Sequence, residues 1–365
     1  RAINKSIDFE RFPKIHGGDW NDGMNKIGKK GIGESVWLGF FMYQILIKFA
    51  EYSKYVTRFA NKETSIALNA QNKNVDVKTI GSDEKSDEYE RLMEVANRLK
   101  KNLNTAGWDV RWYKRATTDD GKVLGSANNK ECKIDGISQS WSVISGAGDN
   151  DKKYIAMESV YKYLVDKENN LIKLLTPPFK NEEFKPGYIA SYAPGMRENG
   201  GQYTHSAIWT AIAEAMLENP DRTIEMYKMI NPIEHAKTEE QAIKYKVEPY
   251  VIEADIYSTD NFAGRGGWTW YTGSSGWMYT LQVEYILGIK INHNTMKIKP
   301  CVPSDWNNFE AKFRWQNAVY NIKYEKNTKQ NQEYSENNME MILDGKNVEE
   351  IKLNKNGSYN VIVKF

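Results

Sequence analysis

The segment ESVWLGFFMYQILIKFAEYSKYV, from Glu34 to Val56, is apolar almost all round before it turns amphipathic. A helix of that kind has no face to give to water, so it must sit among other helices. That requirement points to a helical assembly, and the next stretches supply it. DEYERLMEVANRLKKNLNTAGW (Asp87–Trp108) places Leu92, Val95, Ala96 and Leu99 at helical spacing. Further helices are expected over Ile137–Gly148, Asp151–Asp166, Gly201–Glu218 and Asp221–Ile230, the last two split by Asn219-Pro220. One more is expected over Ser274–Gly288, with Ser to start it and Gly to end it. About seven helices are legible, and long loops rich in Gly, Pro, Asn and aromatics join them, so hairpins with a working face on one side are expected. The polar stretch 61–80 fits no pattern.

After Gly288 the period changes. IKINHNTMKIKPCVP, FEAKFRWQNAVYNIKYEK, MEMILDGK and GSYNVIVKF alternate apolar and polar residues, which predicts a small antiparallel β domain over 290–365. The division expected is therefore 1–289 helical and 290–365 strand.

Charge and cysteine content remove several classes of function. Fifty basic and 48 acidic residues give a formal net charge of +2, which leaves no electrostatic footprint for nucleic acid. Two cysteines, Cys132 and Cys301, make no disulfide framework and lack zinc spacing. No apolar run reaches the roughly 20 residues that span a bilayer. The opening RAINKSIDFERF has no apolar core of a signal peptide. It also lacks an initiator Met, and a motif-rich loop follows at once, so a fragment of a cytoplasmic protein is expected.

Three clusters could carry chemistry. In HGGDWNDGMNKIG (His16–Gly28) two aspartates flank Trp20 and Asn21. Asn-Asp-Gly is good turn chemistry, and Asp19 could simply cap a backbone group. A carboxyl partly desolvated by Trp20 could instead hold a proton near neutral pH and give it to a leaving oxygen. PGMRENGGQYTHSAIW (Pro194–Trp209) puts Arg197, Glu198 and His205 in a Gly-rich loop entering a helix. There His205 could pack or cap, and Glu198 could pair with Arg197 on the surface. GRGGWTWYTGSSGWMY (Gly264–Tyr279) sets Thr272, Gly273, Ser274 and Ser275 before an apolar helix. Free amides and the dipole at a helix start make an anion site, although a Ser N-cap would explain the Ser alone. With 11 Trp, 22 Tyr and 12 Phe, many beside Gly, Asn or Asp, the loops suit stacking on sugar rings as well as a core. An acid, sugar-stacking rings and an anion cradle together suit attack of phosphate on a glycosidic bond. Phosphate is already an anion, so the second carboxylate that activates water in an inverting hydrolase can be dispensed with.

GDWNDGMN…GESVWLGFF, GISQSWSVISGAG, PGMRENGGQYTHSAIW and YTGSSGWMY, in that order, resemble the inverting β-glycoside phosphorylases of glycoside hydrolase family 94. The likeness is greatest to 1,2-β-oligoglucan phosphorylases and the C-terminal region of cyclic β-1,2-glucan synthases. It implies a mostly α chain: the C-terminal portion of an (α/α)6 barrel over 1–289, then the β domain. It implies Asp22 as general acid, Trp20 lining the sugar site, and Glu198 on the sugar. His205, Thr272 and Gly273 would hold phosphate, with Asp19 supporting the loop and Trp141 and Tyr203 as further sugar contacts. The partners implied are a β-linked gluco-oligosaccharide and inorganic phosphate as co-substrate, with no other cofactor, no metal, no nucleic acid and no membrane; a homodimer is also expected. The family's N-terminal sandwich, linker and first barrel helices have no counterpart here. A missing segment or partner chain is therefore expected to complete the barrel, and the isolated chain is expected to be inactive. Two alternatives stay open: an inverting hydrolase with Glu198 as base, and a non-catalytic carbohydrate-binding fragment.

Overall fold

The computed structural model describes residues 7–70, 87–326 and 339–365, with only the backbone of residue 55 and residues 57–70. The part of the 61–80 stretch beyond residue 70 lies outside them. Eight α-helices are present among the described residues: α1 Val36–Ala70, α2 Asp87–Asn104, α3 Gly136–Ile144, α4 Asn150–Tyr163, α5 Thr204–Met216, α6 Pro220–Ile230, α7 Glu239–Tyr245 and α8 Thr272–Thr280. Helix α1 runs past Val56 because the following TRFANKETSIALNA contains neither Gly nor Pro to stop it. None of the described helices is long and apolar enough to cross a membrane.

The chain divides into two compact units. The first holds the residues up to Glu168, Lys173–Gln202 and Ser258–Asp260; the second holds Asn169–Ile172, Tyr203–Tyr257 and Asn261–Phe365. In the first, α1 packs against α2 and α3, and α3 against α4. Gly39 of α1 lets α2 approach, since a Cβ there would stand 3.0 Å from Leu103 Cδ2. A second cluster in this unit (Ile15, Met24, Ile27, Leu124, Leu175, Phe179, Phe184 and Ile189 among it) lies under the N-terminal loop. In the second unit α5 packs against α6 and α8.

Short strands deliver the chain into helices. Glu34–Ser35 pairs with Ala116–Thr117 and leads into α1. Ile134–Asp135 pairs with Leu175–Thr176 and leads into α3. Gln202–Tyr203, paired with Asp255–Ile256, leads into α5. Each pair fixes where its helix begins.

Helix α8 continues as a π-helical stretch, Leu281–Ile286. Gly288 ends it at φ +72°, where a Cβ would fall 1.8 Å from Lys299 O. Strands then follow: β1 Ile289–Asn292, β2 Thr295–Ile298, β3 Phe309–Trp315, β4 Asn317–Glu325, β5 Glu340–Leu343, β6 Lys346–Asn347, β7 Ile351–Lys352 and β8 Asn356–Lys364. One sheet has the order β1-β2-β7, the other β3-β4-β8-β5-β6. The expected antiparallel arrangement needs one correction: β4 and β8 run parallel, in register from Asn317 opposite Asn356 to Glu325 opposite Lys364. Alternation reports which face is buried and carries no information on which strands become neighbours. The apolar faces meet in a core of Tyr320, Ile322, Tyr324, Val361 and Val363.

Candidate functional site

The first unit carries the acidic loop. Gly18 N donates to Ile15 O, and Asn21 caps a 3-10 turn, Asp22–Met24, its Oδ1 accepting from Gly23 N at 3.0 Å. Asp22 opens that turn and is exposed, whereas Gly23 and Met24 are buried. This corrects one expectation: Trp20, itself half-buried, does not take the Asp22 carboxyl out of water in this chain. A second 3-10 turn, Tyr188–Ser191, packs on the first so closely that a Cβ at Gly23 would lie 2.8 Å from Ile189 Cβ.

That packing brings several groups around Tyr188. Burial raises its phenol above the usual range, the negative charges of Asp22 and Glu198 and the neighbouring Tyr192 add to the rise, and Arg197 opposes it. The Arg197 guanidinium lies 5.1 Å from the Tyr192 ring centroid, and its Nε stands 3.5 Å from Glu198 Oε2. Glu198 is only 9% exposed, so the pair is not the surface pair that turn chemistry allows. Its Oε2 has no hydrogen-bond partner among the described residues. A buried carboxylate oxygen in that condition is costly, and it can accept from a hydroxyl-bearing ligand. Tyr188 and Tyr192 were not singled out from sequence; the Gly- and Pro-punctuated loop KPGYIASYAPGMRENGG was their signal.

The Asp19 side chain is wholly buried and tied into its surroundings. Arg115 donates to it through Nη1 and Nη2, both at 2.6 Å, Ser35 Oγ donates at 2.6 Å, and Asn21 N donates at 3.1 Å. Burial would raise this carboxyl, but Arg115, Ser35 and Asn21 outweigh it and hold it below its usual value. Arg115 also has Asp135 at 3.3 Å from Nε, as an ion pair without hydrogen-bond alignment. Burial pushes Asp135 up to about 6 against the pull of Arg115. Trp141 is 3% exposed and edge-on to Trp37 and Phe41, at 5.9 and 5.3 Å, so the structure seats it in the helical core.

The second unit carries the anion-binding candidates. Tyr203 is the N-cap of α5 and Tyr271 the N-cap of α8, and their hydroxyls lie 2.8 Å apart in a hydrogen bond. That bond ties two helix starts together and buries the Tyr203 ring. Helix α8 begins at Thr272, two residues before the expected start at Ser274, so Thr272 and Gly273 are its exposed first residues. The amides of that first turn have no intrahelical acceptor. His205, second in α5, lies against it: a Cβ on Gly273 would stand 3.7 Å from His205 Nδ1 and Cε1. Trp209 and Trp277 flank the imidazole at 4.5 and 6.1 Å. Burial pushes His205 down to about 4, so at neutral pH it is an uncharged ring with one N–H to donate. Ser275 Oγ donates to Tyr271 O, and Ser274 is fully buried.

Beneath α5 lies Glu253, which sequence reasoning missed. It is 0% exposed and accepts from Thr204 Oγ1 at 2.9 Å and Tyr245 OH at 2.7 Å. Burial is the main cause that pushes it up to about 7. Thr204 N also donates to Ala254 O, so the start of α5 is held by backbone and side chain together.

With this geometry in hand, the chain can be placed among known proteins. It is 43% identical over 318 residues to the cyclic β-(1,2)-glucan synthase NdvB of Rhizobium meliloti (strain 1021), covering 87% of this chain and 10% of that protein. It is 29% identical over 306 residues to solabiose phosphorylase of Paenibacillus borealis, covering 84% of this chain and 36% of that protein. The chain thus spans a minor part of either relative. Among solved structures, a sialidase superposes at a TM-score of 0.52 and 15% identity, over 85% of this chain and 26% of that one, a likeness of fold alone. The family model of the glycosyl hydrolase 94 superfamily, catalytic domain, matches residues 1–78 and 67–288. The chain therefore belongs to the glycosyl hydrolase 94 superfamily, as part of its catalytic domain.

Proposed function

We propose that the protein carrying this chain cleaves β-glucosides by inverting phosphorolysis. A phosphate oxygen forms a bond to the anomeric carbon, the bond from that carbon to the glycosidic oxygen breaks, and Asp22 gives its proton to the leaving oxygen. The products are α-glucose 1-phosphate and a sugar shortened by one unit. In this reading Trp20 lines the sugar site, Glu198 accepts from a sugar hydroxyl, and His205, Thr272 and Gly273 hold the phosphate. Asp22 is exposed here, and a sugar ring seated beside Trp20 would itself displace the water that surrounds the carboxyl. Residues 1–289 are read as the C-terminal portion of an (α/α)6 barrel and 290–365 as an accessory β domain.

One observation carries the choice of phosphate over water as nucleophile. The neutral His205 ring faces the first turn of α8 across Gly273, and together they offer N–H donors to an anion while no bulky side chain stands between. The identity to a β-(1,2)-glucan synthase, higher than that to solabiose phosphorylase, favours β-1,2-linked glucan as substrate. The test is a panel of cellobiose, laminaribiose, sophorose and longer β-1,2-glucans, each with and without phosphate, in which glucose 1-phosphate is measured. Release from the β-1,2-linked substrates that requires phosphate is expected. Sugar release at the same rate without phosphate would overturn the reading in favour of hydrolysis.

A further inference from the structure

We propose that Arg115 is the positioning residue of the acid loop, holding Asp22 in register with the starts of α1 and α3 through Asp19, Ser35 and Asp135. The proposal rests on the reading of Asp22 as the proton donor.

The contacts form one chain. Both terminal nitrogens of Arg115 grip the two oxygens of Asp19. Asp19 accepts from Asn21 N, and Asn21 in turn caps the 3-10 turn that Asp22 opens. From the same guanidinium, Nη1 donates to Ser35 Oγ at 3.3 Å, and Ser35 Oγ accepts from Leu38 N in the first turn of α1. Its Nε faces Asp135, the N-cap of α3, whose Oδ1 accepts from Ile137 N. Arg115 is fixed through its own backbone as well: its N donates to Leu124 O, and its O accepts from Val36 N. One guanidinium therefore addresses a loop and two helix starts that are far apart in sequence.

Stability alone is a poor explanation for this arrangement. Arg115 and Asp19 have side chains 0% exposed and Asp135 1%, so one cation is buried with two carboxylates. Taking such charges out of water offsets most of what their attraction returns, and apolar residues of similar volume often do as well. What the fork supplies is direction. A bidentate guanidinium–carboxylate pair fixes the carboxylate plane, and an ammonium, being a point charge, does not. Asp19 is two peptide bonds from Asn21 and three from Asp22, so tilting its plane moves the acid. A displacement of about 1 Å at a reacting group costs on the order of 100-fold in rate.

The experiment uses the whole protein with its glucan substrate and phosphate. Arg115→Lys keeps the charge and loses the fork; Ser35→Ala removes one neutral donor and leaves the charges in place. Ile322→Val, in the strand core of the other unit, serves as a control for mild loss of packing. Expected are a fall in kcat of about 100-fold for Arg115→Lys and of about 5-fold for Ser35→Ala. KM for phosphate should stay at the wild-type value in both, and Ile322→Val should keep the wild-type kcat. If Arg115→Lys fails to fold, the Ser35→Ala split between kcat and KM decides. An active wild type whose variants keep kcat, or raise KM for phosphate in step with the loss of kcat, overturns the positioning role. A wild type without phosphorolysis would instead overturn the reaction assigned to the site.

Discussion

Replacing Glu253 by glutamine changes how stability depends on pH, and the size of the change follows from burial. In the folded chain this carboxyl is pushed up to about 7 from the ordinary 4.5, chiefly because it is buried. A carboxyl with a raised folded value favours folding fully while it is neutral in both states, below about pH 4.5. That advantage is lost as pH rises through 7, where the folded state has to carry a buried anion. At about 1.4 kcal/mol for each tenfold change in acidity, the loss between these limits is about 3 kcal/mol. Of this, roughly 2.5 kcal/mol falls between pH 5 and pH 8. Glutamine keeps an oxygen for Thr204 Oγ1 and an amide facing the Tyr245 hydroxyl, and it carries no charge. Urea unfolding of both proteins at pH 5 and pH 8 isolates the effect, because titrations elsewhere, such as that of Asp135, cancel in the comparison. The variant should gain roughly 2.5 kcal/mol on the wild type in going from pH 5 to pH 8. Equal losses in the two proteins would refute the argument that Glu253 is a charge held against burial.

Two further outcomes are expected. Gly288→Ala should destabilise the chain by more than about 3 kcal/mol in urea unfolding, because the site combines φ +72° with a Cβ position 1.8 Å from Lys299 O; wild-type stability would show that the turn can relax. In isothermal titration of the whole protein at pH 7, His205→Ala should weaken phosphate binding at least about 10-fold, the value of one hydrogen bond to a charged group; unchanged affinity would remove His205 from the cradle.

Much of the helical part is legible in the sequence because Gly and Pro punctuate it: α2, α4 and α6 start within one residue of where the apolar period places them. Helix α7 escaped notice although Thr238 and Gln241 form a complete capping box, a signal readable from spacing alone. The start of α8 was misplaced because Ser274 is a good N-cap type, whereas the backbone of Tyr271, donating to Ile252 O, sets the start. For the candidate site, residue types pointed to Asp22, Glu198 and His205, but not to their surroundings. Arg115 stands 96 positions from Asp19, and Glu253 stands 49 from Thr204. Such partners are chosen by tertiary packing and leave no local period. The parallel pairing of β4 with β8 is invisible for the same reason.

The measurement that bears most directly on the central claim compares the wild-type protein with Asp22→Asn on β-1,2-glucan and phosphate, following α-glucose 1-phosphate by its anomeric signal. The account predicts the α anomer from the wild type only when phosphate is present, and loss of nearly all turnover in Asp22→Asn, since an amide is far too weak an acid to protonate the leaving oxygen. An Asp22→Asn protein that forms α-glucose 1-phosphate at the wild-type rate would contradict it.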